Sequence, residues 1–291
     1  MKKRKGIILA GGTGSRLQPM TGALSKQVLP IYDKPMIYYP LSILMLTGIS
    51  DILVISSPEH LPLIKSTLTQ LGPIGVQFTF MVQKKPKGIA DAMIIGEEFL
   101  DGAPSALVLG DNIFFGNGLS QILKSANKNT TGAHIFVYPV NDPERYGVLE
   151  LDRDKKILNI QEKPEKTTSR LAVTGLYFFD SEAPSLAKQL KPSNRGELEI
   201  TDLNKIYLNN NRLTYYDFGR GFAWLDAGTP SSLLEAANFV STVEHRQGIK
   251  IAAPEEIALH NGWVSKEQLL NLPNVKIDND YSNYLRNLAK E

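Results

Sequence analysis

Four stretches of the chain combine residue types and spacings that can do chemistry. The first is Gly11-Gly12-Thr13-Gly14-Ser15-Arg16-Leu17, followed by Ser25-Lys26-Gln27-Val28-Leu29-Pro30. Glycines let backbone N–H groups approach a phosphate without side-chain obstruction. With Arg16 and Lys26 nearby, two cations and several N–H donors suit a triphosphate; a tight turn holding no ligand is the alternative. The loop does not end in Gly-Lys-Ser/Thr, so it is not a P-loop. It also lacks the third glycine and the following ribose-binding acid of a dinucleotide fingerprint. The second stretch is the apolar run Ser105 to Gly110, which ends in Asp111-Asn112. A carboxylate there sits where open α/β sheets bind ligands, as a metal ligand or as a turn former. The third, Ala223-Trp224-Leu225-Asp226-Ala227-Gly228-Thr229, repeats that design. Two hard oxygen ligands completed by phosphate oxygens and water are what Mg²⁺ takes, although Asp226 also fits a helix-capping role beside Thr229. The fourth is Gln161-Glu162-Lys163-Pro164, where Glu162 suits sugar hydroxyls and Lys163 a phosphate, or the two form an exposed ion pair. His60, His134, His245 and His260 have no metal-ligand spacing.

Strands and helices must hold these stretches. Lys5 to Ala10, Ile52 to Ser56, Val76 to Val82, Ser105 to Gly110 and Ile135 to Val140 read as strands. Pro35 to Leu46, Leu61 to Leu71, Ala90 to Leu100 and Leu119 to Ala126 read as helices between them. This alternation predicts an α/β fold with a mostly parallel sheet covered on both faces. From Tyr146 on, Val148 to Leu151, Ile157 to Gln161, Val173 to Phe179 and Leu213 to Phe218 are strands with few helices between them, an antiparallel or mixed extension. Thr229, Pro230 and Gly248 mark the cap, first turn and end of a helix carrying Leu233, Leu234, Ala237 and Val240. Small helices follow over 249–291, with Trp263, Leu269 and Leu270 needing an apolar surface to dock on.

Composition narrows the class. In 291 residues, 42% are apolar and 32 Lys+Arg stand against 30 Asp+Glu, too even a balance for nucleic acid or an anionic membrane to be the default partner. The absence of Cys excludes thiol catalysis and Cys-held metal and fits a reducing cytoplasm. Lys2-Lys3-Arg4-Lys5 makes only a small basic patch, and the apolar run behind it is shorter than a signal peptide needs. No run approaches the roughly 18 apolar residues of a membrane span.

Taken in order, Leu9 to Leu17, Ser25 to Pro30, Leu109 to Asn112, Glu162-Lys163-Pro164 and Trp224 to Thr229 resemble the sugar nucleotidyltransferases over nearly the whole chain. Tyr32 to Pro40, Asp142 to Gly147 and Arg195 to Asp202 are similar to the branch that joins dTTP to glucose 1-phosphate, the first step toward dTDP-rhamnose. The resemblance implies a Rossmann-like three-layer nucleotidyltransferase fold over 1–248, its nucleotide part about 1–140 and its sugar part about 141–248, with a helical C-terminal extension over 249–291. It implies catalytic roles for Arg16, Lys26 and Lys163. It also implies nucleotide binding by Gly11, Gly14, Ser15, Arg16, Lys26, Gln27, Gln83, Gly88 and Asp111, with Gln83 and the Gly88 backbone on the thymine edge. Gly147, Glu162, Lys163 and Val173 then take the sugar, and Asp111 and Asp226 take Mg²⁺.

The chain departs from that family at Lys87 and Asp91, where Asp and Gln are usual, which leaves nucleotide preference less fixed than reaction type. The family is also homotetrameric, with a nucleotide-sugar effector site between subunits. Arg220 is kept, but His260 replaces an arginine, which predicts weaker inhibition that strengthens as the imidazole charges below about pH 6.5. The alternatives are a UTP-using or other-hexose enzyme, a non-catalytic regulatory subunit, and, weakest, a nicotinamide enzyme.

Overall fold

The computed structural model describes residues 2–12, 14–22 and 24–290; Thr13 of the glycine loop lies outside them. The strands are β1 (Lys5–Leu9), β2 (Pro30–Ile31), β3 (Lys34–Pro35), β4 (Asp51–Ser56), β5 (Gln77–Val82), β6 (Ser105–Leu109) and β7 (Asn112–Gly116). They continue as β8 (Ala133–Pro139), β9 (Gly147–Leu151), β10 (Ile157–Glu162), β11 (Leu171–Phe179), β12 (Leu213–Asp217) and β13 (Phe222–Asp226). Among the described residues the main sheet has nine strands. A parallel centre, β5-β4-β1-β6, carries the antiparallel β11, which pairs with β6 through Leu176–Phe179 and with β9 through Leu171–Val173; β10 lies beyond β9, and β8, followed by β12, runs along the other edge of β11.

Adjacent residues of the central strands point to opposite apolar layers, which explains their unbroken hydrophobic runs. Ile8, Val54 and Val108 pack with the helices Tyr38–Leu46, Leu61–Thr69 and Leu119–Lys128. Ile7, Leu53 and Leu107 pack with Ala92, Leu203 and Tyr207, on the helices Asp91–Ile95 and Ile200–Asn209. Each of these six strand residues is fully buried, so both faces of the sheet are covered.

Several elements differ from the sequence expectation. The helix expected from Pro35 starts at Tyr38, because Lys34 and Pro35 pair with Ile31 and Pro30 in a small hairpin. The segment Ala90 to Leu100 is two helices, broken at Gly96, where a Cβ would lie 3.0 Å from Ile7 of the sheet. The helix Ile200–Asn209 and the strand β7 were not anticipated. The helix Pro230–Gln247 is bounded as expected: Thr229 Oγ1 accepts from the Ser232 N–H at 3.2 Å, and Gly248 closes it at φ 67°.

The basic opening is partly structural. Arg4 is buried and donates to the carbonyls of Ser105, Phe179 and Asn129 at 2.6–2.8 Å. Burial lowers its pKa to about 10 despite the nearby Asp180. The C-terminal segment docks on the body, with Ile257, Leu269 and Leu285 in one apolar layer with Leu41 and Leu44. Glu255, fully buried there, accepts from Asn274 Nδ2 at 2.8 Å and the Tyr281 hydroxyl at 2.6 Å. Among the described residues no helix is long and apolar enough to cross a membrane.

Candidate active site

The glycine loop leaves the carboxyl end of β1 and turns into the short helix Ser15–Leu17. Gly14 makes the turn at φ 63°, and the Thr21 hydroxyl donates to its carbonyl at 2.8 Å. Leu17, buried, anchors the loop and lets Arg16 reach across the molecule to Gly228, where a Cβ would lie 2.8 Å from the guanidinium. Arg16 thereby joins the wall of a cleft of about 590 Å³. A smaller cavity of about 360 Å³ lies on the other side of the loop, bounded by Gly11, Gly12, Ser57 and Gln83 at the carboxyl ends of β1, β4 and β5.

Asp111 and Asp226 both face the large cleft. They are brought together by β7 and β13, a separate two-stranded ladder in which Asp226 pairs with Asn112 and the Ala227 N–H donates to the Asp111 carbonyl at 3.0 Å. Burial opposes the charged form of Asp111, but its ion pair with Lys26 outweighs burial and holds the carboxyl below the usual carboxylate range. Asp226 goes the other way. Burial, aided by the Asp111 charge, raises it, while Arg145 at 3.2 Å and the Tyr146 hydroxyl at 3.2 Å only partly offset this. Two carboxylates that repel one another across a cleft, with cations beside them, form a donor set suited to one hard divalent ion. Among the described residues no third His, Asp or Glu completes a cage, so phosphate oxygens and water would have to fill the remaining positions.

The far end of the cleft is lined by Gly147, Glu162, Lys163 and Val173. Glu162 Oε2 accepts from the Thr201 hydroxyl at 2.5 Å, and its Oε1 faces Arg195 at 3.5 Å and Lys163 at 4.0 Å. A Cβ on Gly147 would stand 3.1 Å from Thr201 Oγ1 and 3.5 Å from Glu162, so glycine keeps this floor open. Lys163 is half exposed at φ 43°, its N–H donating to the Tyr146 carbonyl at 2.9 Å.

Arg16, Asp111, Gly147, Glu162, Lys163, Val173 and Asp226 therefore share one cleft, and Gly11 and Gln83 share the adjoining cavity. Lys26 links the two, paired with Asp111 and 3.8 Å from where a Gly12 Cβ would be. Gly88 lies behind Gln83 at φ 102°, where a Cβ would strike the Leu198 carbonyl at 2.4 Å. Gln27 is not brought to either cavity: it is 1% exposed, its Oε1 accepting from the Ser25 hydroxyl at 2.6 Å. Gly14 and Ser15 do not line either cavity. His260 borders a third, separate cavity, and Arg220 does not.

Sequence reasoning gave no site role to the side chains of Asn112, Arg145, Tyr146, Thr201 or Trp224, all of which line the cleft. Asn112 is the most connected of them. Its Oδ1 accepts from Trp224 Nε1 at 2.6 Å and from the Gly175 N–H at 3.1 Å, while its Nδ2 donates to Asp111 at 2.9 Å. Asp111-Asn112 as an adjacent acid and amide after a strand was the available signal.

Residues 5–243 match the Nucleotidyl transferase family. The chain is 55% identical over 290 residues to the glucose-1-phosphate thymidylyltransferase of Xanthomonas campestris pv. campestris strain B100, covering 100% of this chain and 98% of that one. It is 53% identical over 287 residues to the enzyme of the same name from Neisseria meningitidis serogroup A, covering 99% and 100%. A crystal structure of a Bacillus anthracis protein described as a glucose-1-phosphate thymidylyltransferase, in complex with a sucrose, superposes with a TM-score of 0.74 at 43% identity over 81% of this chain and 94% of that one. A UDP-glucose pyrophosphorylase superposes with a TM-score of 0.73 at 23% identity, a likeness of fold alone. On the extent of these matches, and with a cleft that gathers paired acids and phosphate-seeking cations, the chain belongs to the nucleotidyl transferase family.

Proposed function

We propose that this protein transfers the thymidylyl group of dTTP to glucose 1-phosphate, giving dTDP-glucose and pyrophosphate. The observation that carries this reading is the meeting, in one cleft, of Arg16, Arg145 and Lys163 with the acids Asp111 and Asp226, next to the Glu162–Thr201 pair. The substrates are taken from full-length relatives of that name at 53–55% identity.

The sugar phosphate is a dianion approaching a tetra-anionic nucleotide, so repulsion is the main obstacle and its neutralisation the main catalytic task. Arg16 and Lys26 balance the triphosphate, and Lys163 holds the attacking phosphate in line with the α-phosphorus. A phosphate oxygen of glucose 1-phosphate attacks that phosphorus. The bond to the bridging β-phosphate oxygen breaks, and pyrophosphate leaves with the electron pair. No general base is required, because the attacking oxygen is already ionised near neutral pH. Mg²⁺, held by Asp111 and Asp226, would add neutralising charge at the phosphates. The Glu162 carboxylate accepts from sugar hydroxyls over the open floor at Gly147.

The enzyme works in the cytoplasm as a homotetramer, and a nucleotide-sugar effector binds between subunits. A groove of about 290 Å³ holding His260, Glu256 and Phe115 supports that effector reading. Replacing His260 by Arg tightens end-product inhibition; an equal inhibition constant in both proteins counts against it. Pyrophosphate release over a panel of dTTP, UTP, ATP and GTP with glucose 1-phosphate tests the function itself. Pyrimidine nucleotides turn over, and purine nucleotides with comparable kcat/KM refute the assignment.

A further inference from the structure

Gln83 follows β5 at the wall of the smaller cavity and is 6% exposed. The two ends of its amide are not interchangeable. Nε2 donates to Asp91 Oδ2 at 2.9 Å, and a carboxylate only accepts, so nitrogen must face Asp91. The Gly88 carbonyl, an acceptor as well, lies on the same side at 3.5 Å. Oε1 is therefore the atom turned toward the glycine loop, 2.7 Å from where a Gly11 Cβ would be. Asp91 is 9% exposed and first in the helix Asp91–Ile95. The main chain of Gln83 is fixed by its N–H, which donates to the Ser56 carbonyl at 2.8 Å.

We propose that Asp91 sets the base specificity of the nucleotide site by holding Gln83 with its carbonyl oxygen, and not its amide nitrogen, toward the base. The proposal rests on the transfer reading above, which puts a pyrimidine edge at Gln83. A fixed acceptor demands an N–H opposite it. N3 of thymine and uracil carries a hydrogen, whereas N3 of cytosine carries a lone pair, so two acceptors would face each other. A buried polar mismatch of that kind costs about 10- to 100-fold in binding. Without the carboxylate the amide is free to turn over and match either edge, because glutamine both donates and accepts. Asp91 touches no ligand in this scheme; it is a positioning residue acting through Gln83. A charge that only stabilised its helix terminus would affect every nucleotide alike.

The test compares dTTP, UTP and 5-methyl-dCTP, the last matching thymine in size but inverted along this edge. Calorimetric Kd and pyrophosphate release with glucose 1-phosphate are measured for wild type and Asp91→Asn, an isostere able to donate to Gln83. Wild type favours dTTP over 5-methyl-dCTP by about 30-fold or more, and Asp91→Asn narrows that ratio about tenfold with the UTP-to-dTTP ratio unchanged. An unchanged dTTP-to-5-methyl-dCTP ratio in the variant overturns the proposal, as does an equal loss for all three nucleotides. So does a wild type that takes 5-methyl-dCTP as well as dTTP, a result that needs no variant to fold. Absence of turnover in wild type overturns the transfer reading alone, since the Kd ratios still decide the role of Asp91.

Discussion

Replacing Asn112 separates what holds the cleft together from what makes it work. Asn112 is 3% exposed, and its single carbonyl oxygen serves two donors on different strands, Trp224 Nε1 on β13 and the Gly175 N–H on β11. In Asn112→Ala both donors lose their partner, at about 1–3 kcal/mol each for a buried group. Water entering from the cleft would recover part of this, so the expected loss is about 2–4 kcal/mol, a fall in Tm of at least about 5 °C. Asn112→Asp keeps an acceptor for both donors but removes the amide that donates to Asp111 at 2.9 Å and puts a second carboxylate beside it. Its Tm therefore lies nearer wild type than that of Asn112→Ala. Its activity falls further, by about tenfold or more, because repulsion disturbs the Asp111 carboxylate at the heart of the cleft. Melting curves and kcat at varied Mg²⁺ give both quantities. The reasoning is refuted if Asn112→Asp melts as low as Asn112→Ala while turning over like wild type.

Three further outcomes are expected. Excess EDTA abolishes turnover, and Asp226→Asn lowers kcat by about 10² or more; full activity under chelation would remove the metal from the mechanism. Lys163→Ala raises KM for glucose 1-phosphate with little change in dTTP affinity by calorimetry, and the reverse pattern would exchange the roles of Lys163 and Lys26. Burial raises the Glu255 carboxyl above its ordinary range, against the hydrogen bonds from Tyr281 and Asn274. An acid raised in the folded state stabilises that state fully below its unfolded pKa, and the contribution is lost as pH rises through the folded value. The stability difference between wild type and Glu255→Gln thus shifts against wild type as pH rises from 4 to 8. Parallel denaturation midpoints across that range would show that Glu255 does not titrate differently on folding.

The central strands could be read from the chain because they are buried on both faces, and apolar runs rich in β-branched residues, such as Ile7-Ile8 and Leu53-Val54-Ile55, carry that signal locally. The capping of Pro230–Gln247 was legible for the same reason, since Thr229, Pro230 and Gly248 act within one turn of their own position. β7 follows β6 after only Gly110 and Asp111, and its five residues Asn112–Gly116 are too short and too close to the preceding strand to stand out as a second one. The helix Ile200–Asn209 shows Ile200, Leu203 and Tyr207 on one face, but Asn-rich residues at its end masked the pattern. In the cleft, the paired acids and the glycine loop could be found from type and spacing. The Trp224–Asn112 bond spans 112 positions and exists only because β13 pairs with β7, which no local pattern encodes. Gln27 shows what a motif does not encode: its Oε1 accepts from the Ser25 hydroxyl and its side chain is 1% exposed.

The separate ladder of β7 and β13 has a consequence for how this protein can change over time. The spacing of Asp111 and Asp226 is set by five paired positions, from Phe222 opposite Gly116 to Asp226 opposite Asn112. The chain between Gly116 and Phe222, which holds Gly147, Glu162, Lys163 and Val173, supplies β8 to β12 of the main sheet before it returns to that ladder. Insertions or deletions in its connecting turns, such as 163–170 between β10 and β11, leave the two acids where they are, because the register that fixes them lies in the ladder. A single residue gained inside β13 has the opposite effect and turns Asp226 to the other face. The sugar end is therefore open to remodelling toward other hexoses, while the ladder tolerates almost no change in length.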